Sequence, residues 1–99
     1  MKQVIISDPA KEDLYSIAEY IAQRSPEAAV RLLKQFRQKF ELLASFPLLG
    51  RERNDIAIGI RCFVMGKYLI FYQPHDDTLE IWRIRHSAQD LSDLLVDLQ

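Results

Sequence analysis

The residues best equipped for chemistry in this 99-residue chain are cations in or beside strand-like runs: Arg51, Arg53, Arg61, Lys67, Arg83, Arg85 and His86. A planar guanidinium with five donors grips a phosphate or a carboxylate as a fork, so arginines from one loop and two neighbouring strands are suited to converge on a phosphate or on an acidic partner side chain. Taken singly, each reads as a solvated strand residue or as the partner of a nearby acid such as Glu52 or Glu80. His86 has an unperturbed pKa of about 6.5, which permits acid or base work, although a histidine at a strand end is more often a structural hydrogen bonder. Cys62, between Arg61 and Phe63, reads as a small core residue. The chain contains no phosphate-binding glycine loop, no Gly-x-Ser-x-Gly elbow and no His-Glu-x-x-His string. One cysteine and two histidines far apart form neither a disulfide nor a zinc pattern. No metal or cofactor is expected, and a reducing cytoplasm is the expected compartment.

The elements that must position these groups follow from the hydrophobic pattern. Val4-Ile5-Ile6 is a short β-branched run closed by Ser7-Asp8-Pro9, with Asp8 expected to cap a helix that begins near Pro9. Leu14, Ile17, Ala18, Ile21 and Ala22 then line one face of an amphipathic helix, with Glu12, Asp13, Glu19 and Gln23 facing elsewhere. Ser25-Pro26-Glu27 repeats the cap-then-proline signal, and Ala29, Leu33, Phe36, Phe40 and Leu43 step along a second helix that Phe46-Pro47 terminates. The pair predicts a tight antiparallel helical hairpin. Leu48–Asp55 reads as an exposed polar loop, and Ile60–Val64, Tyr68–Tyr72 and Leu79–Ile84 as three strands at hairpin spacing, most simply an antiparallel meander. In the last strand, strict alternation puts Glu80, Trp82, Ile84 and His86 on one face and Ile81, Arg83 and Arg85 on the other. Leu91, Leu94, Leu95 and Leu98 stripe a short C-terminal helix, expected to dock on the sheet. The expected fold is therefore α+β: a single domain spanning 1–99, with an N-terminal helical hairpin packed on an antiparallel β-sheet in the order β-α-α-β-β-β, and a short final helix.

Composition narrows the function classes. Thirteen basic against fourteen acidic residues leave a net charge of −1, which argues against a protein that coats nucleic acid by bulk charge. The balance is uneven along the chain, because Ser87–Gln99 carries Asp90, Asp93 and Asp97 and no basic residue. No apolar run approaches the roughly 18 residues of a membrane span, and the N-terminal apolar run is too short for a signal peptide.

Six strings in one order carry a resemblance: Asp13–Ala22, Ala28–Leu33, Leu42–Arg51, Gly59-Ile60-Arg61, Gly66–Tyr72 and Ile81–Leu91. Together, over about Ser7 to Leu95, they resemble the ParE branch of the RelE/ParE toxin superfamily. The resemblance implies the same hairpin-on-sheet fold and the role of toxin in a two-component toxin–antitoxin pair. The implied partner is an antitoxin with a DNA-binding N-terminal part, usually ribbon-helix-helix, and a flexible C-terminal part that wraps the toxin. On this chain its expected contacts are Leu14, Ile17, Ile21, Leu33, Phe36 and Phe40. ParE-like members poison DNA gyrase, which makes gyrase the expected target, with Arg51, Arg61, Arg83 and His86 as contact residues, no catalysis, and no direct DNA or membrane binding. RelE-like members cleave messenger RNA on the ribosome. For that chemistry the inventory offers Glu52 or His86 as base and acid, and Arg51, Arg61 and Arg83 as cations for the charge that builds on phosphorus. The near-neutral charge and acidic ending favour the gyrase reading. Ser87 and Gln89 stand where ParE-like endings commonly carry glycine and arginine, which keeps a third reading open, a harmless module that still binds antitoxin.

Overall fold

The computed structural model of the chain describes residues 1–89, Leu91, Ser92 and Leu94. The β-branched start forms β1 (Gln3–Ile6), and the two helices follow as α1 (Asp8–Ala22) and α2 (Pro26–Ser45). Ser7, rather than Asp8, caps α1: its hydroxyl accepts the Ala10 N–H at 3.2 Å, and Asp8 is the first helical residue, where its charge meets the positive end of the helix dipole. Ser25 caps α2 in the same way, accepting from Ala28 N–H at 3.2 Å. The second helix stops at Ser45, just ahead of Pro47, as the proline requires.

The remaining strands are β2 (Arg51–Glu52), β3 (Arg61–Met65), β4 (Tyr68–Pro74) and β5 (Thr78–His86). The β3-β4-β5 meander is as expected, but the sheet has five strands in the order β1-β5-β4-β3-β2. Its outer members are the two corrections to the expected topology. β1 runs parallel to β5, Gln3 opposite Thr78, so the sheet is only mostly antiparallel. The two-residue β2 pairs Arg51 with Cys62 and Glu52 with Arg61, inside what the sequence reads as a plain loop.

One face of the sheet carries the hairpin. Phe36, Phe40, Leu43 and Ala44 of α2 pack with Ala10 against Ile70, Tyr72, Leu79, Ile81 and Ile84. Full burial of each such large side chain contributes about 1.5–3 kcal/mol. The opposite face carries a smaller apolar cluster of Ile56, Ile60, Cys62, Phe71 and Leu94, flanked by Trp82 and Leu91. Leu91 and Leu94 thus dock on the sheet as expected, while most of the C-terminal helix expected over Leu91–Leu98 lies outside the described residues. Among the described residues no helix is long and apolar enough to cross a membrane.

Strict alternation along β5 fails. Phe71 pairs with Arg83 but Tyr72 pairs with Ile81, so Trp82 is an extra residue in the ladder, a β-bulge. The bulge resets the phase: Ile81 and Ile84 both face the helices, while Trp82 joins the cluster on the other face.

β1 accompanies β5 only as far as Ile81, leaving the rest of that edge without a strand partner. The start of α1 closes it. Ser7 N–H donates to Ile81 O at 3.0 Å and the Ser7 hydroxyl donates to Trp82 O at 2.8 Å. Asp13 then accepts the Ile84 N–H at 2.9 Å, takes Arg83 Nε at 2.8 Å and Nη2 at 3.1 Å in a fork, and lies 3.5 Å from Arg85 Nη1. The Asp13 and Arg83 side chains are only 12% and 14% exposed, so this is a mostly desolvated ion pair whose geometry decides its worth.

A second staple holds the loop after α2. The Tyr72 hydroxyl donates to Pro47 O at 2.7 Å and accepts the Gly50 N–H at 2.7 Å. Arg61 Nη1 donates to Gly50 O at 2.7 Å and to Leu48 O at 3.4 Å. A Cβ on residue 50 would sit 2.5 Å from the buried Tyr72 ring, so only glycine fits there. Burial pushes the Tyr72 hydroxyl above the usual phenol range.

Two outcomes follow. Asp13→Ala is expected to cost about 3–5 kcal/mol in urea unfolding, because it leaves Arg83 without its fork and the Ile84 N–H without its acceptor. Tyr72→Phe is expected to cost about 1–3 kcal/mol, since Gly50 N–H and Pro47 O lose their partner. The folded state favours the protonated phenol, so this contribution is present below about pH 10 and is lost as the pH climbs through the raised folded value. Melts run from neutral to alkaline pH should show a flatter alkaline decline for Tyr72→Phe than for the wild type.

Candidate functional site

On the face away from the helices a cleft of about 490 Å³ is lined by Arg51, Glu52, Arg53, Asp55, Cys62, Val64 and Leu69. Its floor exists because β3 and β4 pair in register: Cys62 lies opposite Phe71 and Val64 opposite Leu69, all on the helix-free side by strand alternation. Its charged wall is β2 and the turn that follows. Arg53 grips Asp55 through Nε at 3.0 Å and Nη2 at 2.9 Å, which raises the guanidinium pKa and holds the Asp55 carboxyl below its ordinary value. Arg51 is exposed and has no hydrogen-bond or ion-pair partner among the described residues. Burial pushes the Cys62 thiol up, so it stays protonated and is a poor nucleophile. The cleft therefore offers one free cation and one neutralised cation over an apolar floor. That suits contact with a carboxylate-bearing surface better than bond breaking. Among the described residues no group of three or more His, Cys, Asp or Glu side chains is placed to hold a metal ion.

Of the groups nominated for RNA cleavage, Glu52 and Arg61 touch, but Arg83 and His86 do not join them. Arg61 and Glu52 form a pair at 3.2 Å near the β2 edge, and Arg61 is also bound to the loop carbonyls. Arg83 is held by Asp13 at the other side of the sheet. His86 lies four ladder positions along β5 from Ile81, which is level with Tyr72 and Arg61, a separation of about 13 Å along the strand direction alone. There it stacks edge-on to Tyr68, with ring centroids 5.6 Å apart. Its Nδ1 accepts the Ala88 N–H at 3.1 Å, which assigns the proton of the neutral ring to Nε2, and its own N–H donates to Gln89 Oε1 at 2.7 Å. Of the four residues expected to meet a target, Arg61, Arg83 and His86 make structural bonds and Arg51 alone stands free among the described residues.

The expected antitoxin contacts divide in a similar way. Phe36 and Phe40 are 1% and 3% exposed and belong to the core between α2 and the sheet, which corrects their assignment as surface. Leu14 and Ile17 are half-buried against that core. Ile17 and Ile21 line a groove of about 410 Å³ with Ser16, Tyr20, Lys67, Tyr68, His86 and Gln89. Leu33 stays 40% exposed on α2, near an exposed Val30. Sequence reasoning missed Asp13, Gly50 and Tyr72, the groups on which the two staples depend. No local signal in the Phe46–Gly50 string could have found them, since the close approach of Tyr72 to Gly50 joins residues 22 positions apart.

The family model for the ParE toxin of the type II toxin–antitoxin system parDE matches residues 4–91. Among similar proteins, Toxin RelE2 of Caulobacter vibrioides is 36% identical over 89 residues, covering 90% of this chain and 99% of the relative. Toxin ParE3 of the same organism is 27% identical over 93 residues, covering 93% of each. A chain from the chromosomal ParDE system of P. aeruginosa shares the fold, with a TM-score of 0.72 at 19% identity over 87% of this chain and 96% of that one. The helical hairpin, the five-strand sheet and a sequence match from β1 to Leu91 thus agree, and the chain belongs to the ParE toxin family of type II toxin–antitoxin systems.

Proposed function

We propose that this protein is a toxin that acts by binding, that its target is DNA gyrase, and that a cognate antitoxin with a DNA-binding N-terminal part neutralises it. The observation that supports a non-catalytic reading is that Arg83 and His86 lie apart from each other and from the Glu52–Arg61 pair, and that Arg61, Arg83 and His86 are engaged in bonds that hold the fold. A nuclease acting without a metal needs base, acid and cations around one phosphate. The second reading, a ribosome-dependent messenger RNase, draws on the cleft beside Arg51 and Arg53 and on a relative named RelE2. On the antitoxin side, the groove over Ile17 and Ile21 and the exposed Val30 and Leu33 offer an apolar track along the hairpin. A flexible segment that orders on binding can follow such a track.

Induction without antitoxin separates the readings. DNA synthesis should stop first, with gyrase-linked breaks, and the purified protein should inhibit gyrase in a supercoiling assay. Immediate translation arrest with cut messages would reverse the assignment, and harmless growth would leave an antitoxin-binding module. Leu33→Asp places a charge on the apolar track and should weaken antitoxin binding about tenfold or more in a titration, with toxicity retained.

A further inference from the structure

The loop between α2 and β2 displays three large apolar side chains to solvent: Phe46 is 60% exposed, Leu48 70% and Leu49 53%. Exposed loops are ordinarily polar and loosely held, whereas this one is apolar and tied by hydrogen bonds to two strands. Tyr72 holds Pro47 O and Gly50 N–H, Arg61 holds the carbonyls of Leu48 and Gly50, and Leu49 N–H closes on Phe46 O at 3.2 Å. A buried tyrosine and a mostly buried arginine are thus committed to fixing a segment whose own side chains bury little. The fold gains no core from that display; a binding partner would, and at low entropic cost because the loop is already ordered.

The rim of the knob states what it fits. On one side stands Arg51, without a partner among the described residues. On the other, Asp76 and Asp77 share a cleft with Pro47, Met1 and Lys2, whose ammonium donates to the carbonyls of His75 and Asp76, so that flank carries both signs of charge. An apolar centre with a free cation on one flank matches an apolar protein cleft edged by a carboxylate. A nucleic-acid backbone presents phosphate and sugar rather than an apolar cleft for these side chains. The hairpin turn that starts the antitoxin track lies a full α2 away, about 30 Å for twenty residues.

We infer that Phe46–Leu49 is the anchor by which this toxin engages its target, entering an apolar cleft on a protein whose rim places a carboxylate against Arg51. The inference rests on the binding-toxin reading above and adds the contact surface to it. The full-length double variant Leu48→Ser/Leu49→Ser changes only exposed side chains. It is expected to keep its melting transition and to bind antitoxin within about twofold of the wild type, while the inducer dose that arrests growth rises about tenfold or more. Arg51→Glu should raise that dose as well, and Arg51→Lys should restore it. A folded double variant as toxic as the wild type overturns the inference, as does one that loses antitoxin binding in the same proportion as toxicity. Should the double variant fail to melt cooperatively, Arg51→Glu decides: full toxicity in that variant overturns the inference. A wild-type protein that is itself harmless overturns the toxin reading along with it, whereas a toxic wild type with a toxic variant overturns the anchor alone.

Discussion

The structure depends on closing the edge of β5. That strand spans Thr78–His86, whereas its parallel neighbour β1 spans only Gln3–Ile6, so the outer backbone of β5 past Ile81 has no strand to pair with. An open edge at the junction of sheet and hairpin would leave backbone groups unsatisfied beside the core. Ser7 and Asp13 close it from α1, which fixes the height and rotation of that helix on the sheet. The α2 core residues and the groove around Ile17 follow from where α1 is held.

This closure explains where the positive charge goes. Arg83 and Arg85 answer Asp13, Arg61 answers Glu52 and the loop carbonyls, and Arg53 answers Asp55. Four arginines of the sheet and its loops are thus tied up internally, while Arg31, Lys34 and Arg37 of α2 stay exposed, in a chain whose net charge is −1. Beside those cations it exposes apolar and aromatic side chains, Tyr15, Tyr20, Val30, Phe46, Leu48 and Leu49, on helices and on a braced loop. A surface of that composition suits contact with other proteins.

Local signals were legible and long-range ones were not. Both proline-led helix starts, though not the identity of the first cap, the proline stop after Ser45 and the three hairpin-spaced strands follow from short-range chemistry and could be read directly. The pairing of β1 with β5 joins residues at opposite ends of the chain and has no local signature. Periodicity located the Phe36–Phe40 stripe but could not say whether sheet or solvent lay beneath it. Asp13 looked like one more acid on the polar side of a helix, since its role depends on where a strand seventy residues later happens to pass. The Trp82 bulge likewise inverted the facing of half a strand, because one extra residue is invisible to a period of two. The arginines in and beside the strands were read as cations needing an explanation, but the explanation for Arg61 lay in the backbone of the loop between α2 and β2.

The parallel pairing of Gln3 with Thr78 also sets when the molecule comes into being. During synthesis at about 5–20 residues per second, β1 waits roughly 4–15 s before its neighbour exists. The Asp13 side chain waits as long for Arg83 and Ile84, and the loop staple waits for Tyr72. A nascent chain that has completed only its helical hairpin therefore has neither a sheet to hold it nor a braced loop to present. The topology delays the finished surface until nearly the whole described chain has been translated, so a ribosome carrying a partial chain carries no toxin.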